Sequence, residues 1–131
     1  MPTLGARAAD TEVTRCAALL RKLTGSEGVW FRPSGTPVST PTIRAAAGRA
    51  GYARCLSFDV DPLDYLDPGA NVVRDRVLAA ARPGSIVSLH LGHVGTVRAL
   101  PAILAGLRSQ RLEAVTATTL LAGTSAAAAG A

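Results

Sequence analysis

The chain has 131 residues, of which 48% are hydrophobic and only 4% aromatic, enough Val, Leu, Ile and Ala to build one domain core. Its formal net charge of +5 comes almost entirely from Arg residues spread along helical spacings, which describes solvated helix faces and argues against a nucleic-acid footprint, where basic stripes interleave with stacking aromatics. No stretch reaches the roughly 18 to 20 apolar residues of a membrane span, and MPTLGARAAD lacks the apolar core of a signal peptide.

From Asp10 to Leu23, apolar residues at Val13, Cys16, Ala17, Leu20 and Leu23 predict one face of a helix that Gly25 ends. Val29–Phe31 is a short strand candidate. RPSGTPVSTP then excludes regular structure until Thr40 caps a new helix with Pro41 at its first position, running to about Gly51. Cys55–Val60 predicts a second strand that opens into DPLDYLDPG, a turn-rich loop dense in carboxylates. Cys16 and Cys55 match neither a CxxC motif nor a zinc spacing; two buried free thiols are the simpler reading, although a disulfide also fits the sequence.

Val72, Val73, Val77, Leu78 and Ala81 predict a helix over 70–82, and Pro83-Gly84 opens a third strand, Ser85–His90, that delivers an imidazole to its carboxyl end. A further helix is expected from Thr96 to Arg108, with Pro101 either in its first turn or kinking it. Leu112–Thr116 is a last strand, Thr118–Leu121 at most a helical turn, and residues 123–131 a disordered small-residue tail. Strict alternation of helix and strand predicts an α/β architecture with about four parallel strands. The expected organisation is one partial domain over 1–122.

Three stretches in order, FRPSG at 31–35, DVDPLDY at 59–65 and SIVSLH at 85–90, resemble the later signature motifs of the polysaccharide deacetylases, the NodB-homology family of carbohydrate esterases. The flanks resemble it as well: TG before the Arg-Pro motif, AGY after the following helix, PG before the His strand, and ALPAILAGLRSQRLEAVTATTLL at the end. The resemblance implies the C-terminal portion of a distorted (β/α) barrel. It also implies a hydrolase that removes acetyl groups from aminosugar or sugar polymers, using water activated by a divalent metal, zinc or similar, held by one Asp and two His.

Carried over residue by residue, the resemblance makes His90 the general acid, Asp61 the carboxylate that orients and charges it, and Arg32 the partner of the catalytic base. Tyr65 stands at a tryptophan position of the groove wall, Val87 or Leu89 at the leucine lining the acetyl-methyl pocket, and Asp64 at a second acid facing substrate. Pro33-Ser34-Gly35 departs from the family's Pro-Pro-aromatic-Gly.

The family's Asp-Asp pair and His-x-x-x-His, which supply the base and the metal ligands, have no counterpart before Arg32. The expectation is therefore a chain that retains the general-acid side, brings no metal ligands and does not turn over alone. The competing reading is a non-catalytic glycan-binding or regulatory half-domain that docks on a partner chain, or on itself, through an exposed sheet edge. No nucleic-acid or membrane partner is expected. The family resemblance implies a secreted or cell-envelope setting, whereas the chain as written carries no export signal and reads as cytoplasmic, so the compartment stays open. His93, three residues after His90 with no third ligand in place, reads as a loop or groove residue rather than a metal site.

Overall fold

The computed structural model describes residue 1 and residues 3–122. The tail expected at 123–131 lies outside the described residues. These fall into two compact units, one from Met1 to Ser57 and one from Phe58 onward.

In the first unit, helix α1 (Ala6–Thr24) ends at Gly25, whose positive φ of 83° closes the left-handed C-cap. Strand β1 (Trp30–Phe31) follows, then helix α2 (Pro41–Arg49), whose N-cap Thr40 accepts a hydrogen bond from the Ile43 backbone N–H through its side chain, with Pro41 at the first helical position as expected. Strand β2 (Arg54–Cys55) pairs with β1 in parallel, Trp30 beside Arg54 and Phe31 beside Cys55. The core lies between the two helices and the sheet: Ala9, Val13 and Ala17 of α1 meet Ile43, Ala46 and Ala47 of α2, with Phe31 and Tyr52 in ring contact at 5.2 Å. Small residues at four-residue spacing let the helices approach closely, and an Arg49–Asp10 ion pair at 2.7 Å spans the contact at the surface.

The buried stripe of α1 is narrower than the sequence predicts. Leu20 and Leu23 face out, Leu23 with 70% of its surface exposed. Cys16 is exposed and Cys55 half-buried, so the expected pair of buried thiols is corrected to two free cysteines of differing exposure. For Cys16, Leu20 and Leu23 the cause is the same: the burying positions of α1 are 9, 13 and 17, and 16, 20 and 23 lie beside that row rather than on it.

In the second unit, a 3-10 turn (Asp64–Leu66) precedes helix α3 (Ala70–Ala80) and helix α4 (Val94–Ser109), and helix α5 (Ala117–Ala122) closes the described chain. Val73 and Val77 of α3 pack against Ala99 and Ile103 of α4, with Val87 and Leu89 against the same cluster. Gly106 of α4 lies against the side chain of Leu78, a separation that leaves no room for a Cβ. Helix α4 starts two residues earlier than predicted, so Pro101 falls inside it rather than in its first turn. None of the helices is long and apolar enough to cross a membrane among the described residues.

The structure is mixed α/β with a small parallel sheet, and the expected four strands are reduced. Cys55–Val60 contracts to β2, and Ser85–His90 keeps a single parallel bridge, Val60 with Val87. The reason lies in competing acceptors. The Asp59 carboxylate takes both the Ser85 hydroxyl, at 2.7 Å, and the Ile86 backbone N–H, at 2.6 Å, so a side chain occupies the donor that a ladder would use. Leu112–Thr116 forms no strand. Its residues are mostly exposed, and β-branched character without a neighbouring strand does not make one.

Replacing Ile43, which is 1% exposed, by Ala is expected to cost about 2–5 kcal/mol of stability. Leu23→Ala is expected to cost less than about 0.5 kcal/mol. Urea unfolding of the two variants checks the assignment of the buried face.

Candidate functional site

The second unit gathers four titratable residues from two segments. Asp64 lies on the 3-10 turn and Asp67 just after it; His90 ends the bridged segment, and His93 is the N-cap of α4. The turn is bounded by Leu63 at φ 54° and Asp67 at φ 49°, left-handed conformations that non-glycine residues adopt at a cost and that set the directions in which the two carboxylates leave the backbone. Along the bridged segment, Val87 and Leu89 pack toward the helices while His90, in the alternate register, meets the acids.

Asp64 is 1% exposed and its carboxylate takes three hydrogen bonds. His90 approaches Oδ1 through ring Nδ1 at 2.8 Å, the His90 backbone N–H donates to Oδ2 at 2.8 Å, and the Thr96 hydroxyl donates to Oδ2 at 2.7 Å. Burial is the largest influence on its pKa and pushes it upward, but the Thr96 hydroxyl, the His90 backbone and ring hydrogen bonds and the His90 charge together outweigh it and hold the carboxyl below its ordinary value. An ionised carboxylate only accepts, so the proton in the ring contact belongs to Nδ1, and Nε2 is the ring nitrogen outside that contact. The imidazole is one-third exposed, and the Tyr65 ring stands edge-on to it at 5.0 Å.

The carboxylate on His90 is thus Asp64, where the sequence places Asp61. Asp61 instead accepts the Leu63 backbone N–H through Oδ1 at 2.9 Å and closes the turn that carries Asp64. Asp64, expected to face substrate, is buried. Val87 and Leu89, expected at an acetyl pocket, are half-buried against the helix core. In the first unit, the Arg32 guanidinium donates to the Pro33 carbonyl at 3.2 Å.

His93 repeats the His90 arrangement in a wetter setting. Its Nδ1 lies 2.9 Å from Oδ1 of Asp67, whose side chain is 67% exposed, and its ring stands edge-on to His90 at 6.5 Å. This second pair was missed in the sequence, although a signal is there: both acids precede their histidines by 26 positions, so D-x-x-D and H-x-x-H run in register. Thr96 was missed because a hydroxyl early in a helix ordinarily serves the helix itself. Among the described residues no three His, Cys, Asp or Glu side chains come together in a way that would hold a metal ion. The side chains present therefore do not fit the divalent metal that the family resemblance implies.

A carboxyl whose acidity is raised by folding stabilises the fold above its unfolded value near 3.9, and that contribution is lost as the pH falls through the lower folded value. Asp59, lowered chiefly by the Ser85 hydroxyl and the Ile86 N–H, acts with the same sign. Asp64→Asn is expected to flatten the loss of stability below about pH 4 relative to wild type. Urea midpoints between pH 2 and pH 6 measure the difference.

Comparison with known proteins follows the same lines. No family model matches the chain. It is 36% identical over 99 residues to the peptidoglycan-N-acetylglucosamine deacetylase of Bacillus cereus, an overlap of 72% of this chain and 46% of that protein. It is 43% identical over 68 residues to a chitooligosaccharide deacetylase of Rhizobium leguminosarum bv. trifolii, covering 49% of this chain and 29% of the relative. Among solved structures, a mutant of a carbohydrate esterase family 4 pseudoenzyme of Bacillus anthracis, with restored enzymatic activity, superimposes with a TM-score of 0.79 at 25% identity, over 91% of this chain and 43% of that one. The chain spans less than half the length of these proteins. Sequence and fold agree that it belongs to the polysaccharide deacetylase family, as a NodB-like chain matching part of its relatives' length.

Proposed function

We propose that the chain serves the hydrolytic removal of acetyl groups from an acetylated aminosugar or sugar polymer, and that it contributes the proton-donor side of that reaction. The observation that carries this reading is the buried Asp64 carboxylate on Nδ1 of His90, which leaves Nε2 as the nitrogen able to hand over a proton. When the tetrahedral adduct of water and the acetyl carbonyl collapses, the carbon–heteroatom bond breaks. Nε2 of His90 then gives its proton to the departing amine or hydroxyl, and acetate is the second product. Tyr65 beside His90 supplies an aromatic edge for the sugar in place of a tryptophan.

The residues that hold a metal and take the proton from water are not among those described, so this chain is assigned only the second half of the proton traffic. Arg32 keeps its proposed role as the partner of that base. The strands of a (β/α) barrel, of which a small parallel sheet is present here, belong to the same proposal. The relatives' names support the substrate class, as one acts on chitooligosaccharide and another on peptidoglycan N-acetylglucosamine.

A second reading, a non-catalytic half-domain docked on a partner chain, is favoured by the same lack of a ligand cluster among the described residues and by the apolar Val29 left exposed beside β1. Gel filtration separates the two: a well-behaved monomer that binds neither glycan nor a second chain removes its support.

The isolated chain, with zinc or cobalt added, is expected to release no acetate from N-acetylchitotetraose. A chimera that places this chain behind the preceding part of the Bacillus cereus deacetylase is expected to release acetate and to lose about 100-fold or more in rate on His90→Ala. A folded, active chimera indifferent to His90→Ala contradicts the proposal.

A further inference from the structure

Asp64 and His90 share two hydrogen bonds, and both donors belong to His90: its ring Nδ1–H and its own backbone N–H. A carboxylate held by one residue's two donors fixes the pair internally but refers it to nothing outside. The third donor is the Thr96 hydroxyl, which comes from α4 and reaches Oδ2 at 2.7 Å.

Three features separate this contact from an ordinary buried threonine. Thr96 is 4% exposed and faces a carboxylate that is 1% exposed, so the bond is shielded from water on both sides. Its hydroxyl crosses to another segment 32 residues away, whereas Thr11 and Thr24 bond within their own helix, to the carbonyls of Arg7 and Leu20. It also sits in the first turn of a 16-residue helix whose next turns are anchored by Ala99 and Ile103 in the core. The positive end of that helix stands toward the anion, which favours its ionised form.

We propose that Thr96 is a positioning residue: it ties the Asp64 carboxylate to the packed helix α4 and thereby holds the His90 ring in the one tautomer, Nδ1–H, that leaves Nε2 free for proton transfer. This role rests on the proposed function of His90, but its physical content is a property of the free protein. Without the hydroxyl, Oδ1 is free to swing off the ring, and the imidazole redistributes its proton between the two nitrogens. A serine in place of Thr96 keeps the oxygen and loses only a methyl group.

Ring-nitrogen NMR of the full chain, with the two histidines assigned through His93→Gln, tests this. Wild type and Thr96→Ser are expected to show His90 as a single Nδ1–H tautomer when neutral. Thr96→Val, or Thr96→Ala where valine packs poorly, is expected to show a mixture of Nδ1–H and Nε2–H. A hydroxyl-free variant that keeps the wild-type far-UV circular dichroism and the single tautomer overturns the inference. So does the case in which both hydroxyl-free variants fail to fold while Thr96→Ser folds, because Thr96 is then structural. The readout needs no turnover, so an inactive chimera leaves it untouched, and an active one does not rescue it.

Discussion

A carboxylate with 1% of its surface exposed must be satisfied by donors or it will not remain ionised, and Asp64 is that carboxylate here. Its three donors draw together three parts of the chain: the turn at 64–66, the end of the bridged segment at His90, and the first turn of α4 at Thr96. The geometry around it follows from this demand. The left-handed residues Leu63 and Asp67 turn the backbone so that Asp64 points inward, and Asp61 caps the entry to that turn through the Leu63 N–H. The histidine is oriented because the acid cannot be left unpaired.

The His93–Asp67 pair shows what burial adds. It copies the spacing and the Nδ1 contact of His90 and Asp64 almost atom for atom, with a ring distance of 2.9 Å in place of 2.8 Å. Asp67, however, is largely in water, and an exposed pair of this kind contributes little to fixing a ring or a fold. Two pairs drawn to one plan thus differ in physical character: the carboxylate of one is buried and that of the other lies largely in water.

Much of the helical framework was legible in the sequence because it is locally encoded. Thr40 followed by Pro41 announces a helix start, Gly25 a stop, and the valines at 73 and 77 a buried stripe. What local pattern does not encode is which of several similar residues the chain path brings to a given point. Asp61, Asp64 and Asp67 recur every three residues, and choosing among them requires the turn geometry that Leu63 and Asp67 impose. The strands failed for a related reason: a ladder depends on a neighbour's backbone donors, and the Asp59 side chain takes the Ile86 N–H. The likeness to deacetylases gave Asp61 as the carboxylate partner of His90, three residues before the Asp64 that the ring meets.

Within the polysaccharide deacetylase family the chain presents a histidine, His90, whose ring is oriented by a buried anion. Observing the ring of His90 while removing each candidate partner tests this most directly. Ring-nitrogen NMR of Asp64→Ala and Asp61→Ala is the measurement: the first variant is predicted to lose the single Nδ1–H tautomer of His90, and the second to keep it. The reverse pattern, or a His90 ring unchanged in both, would contradict the account.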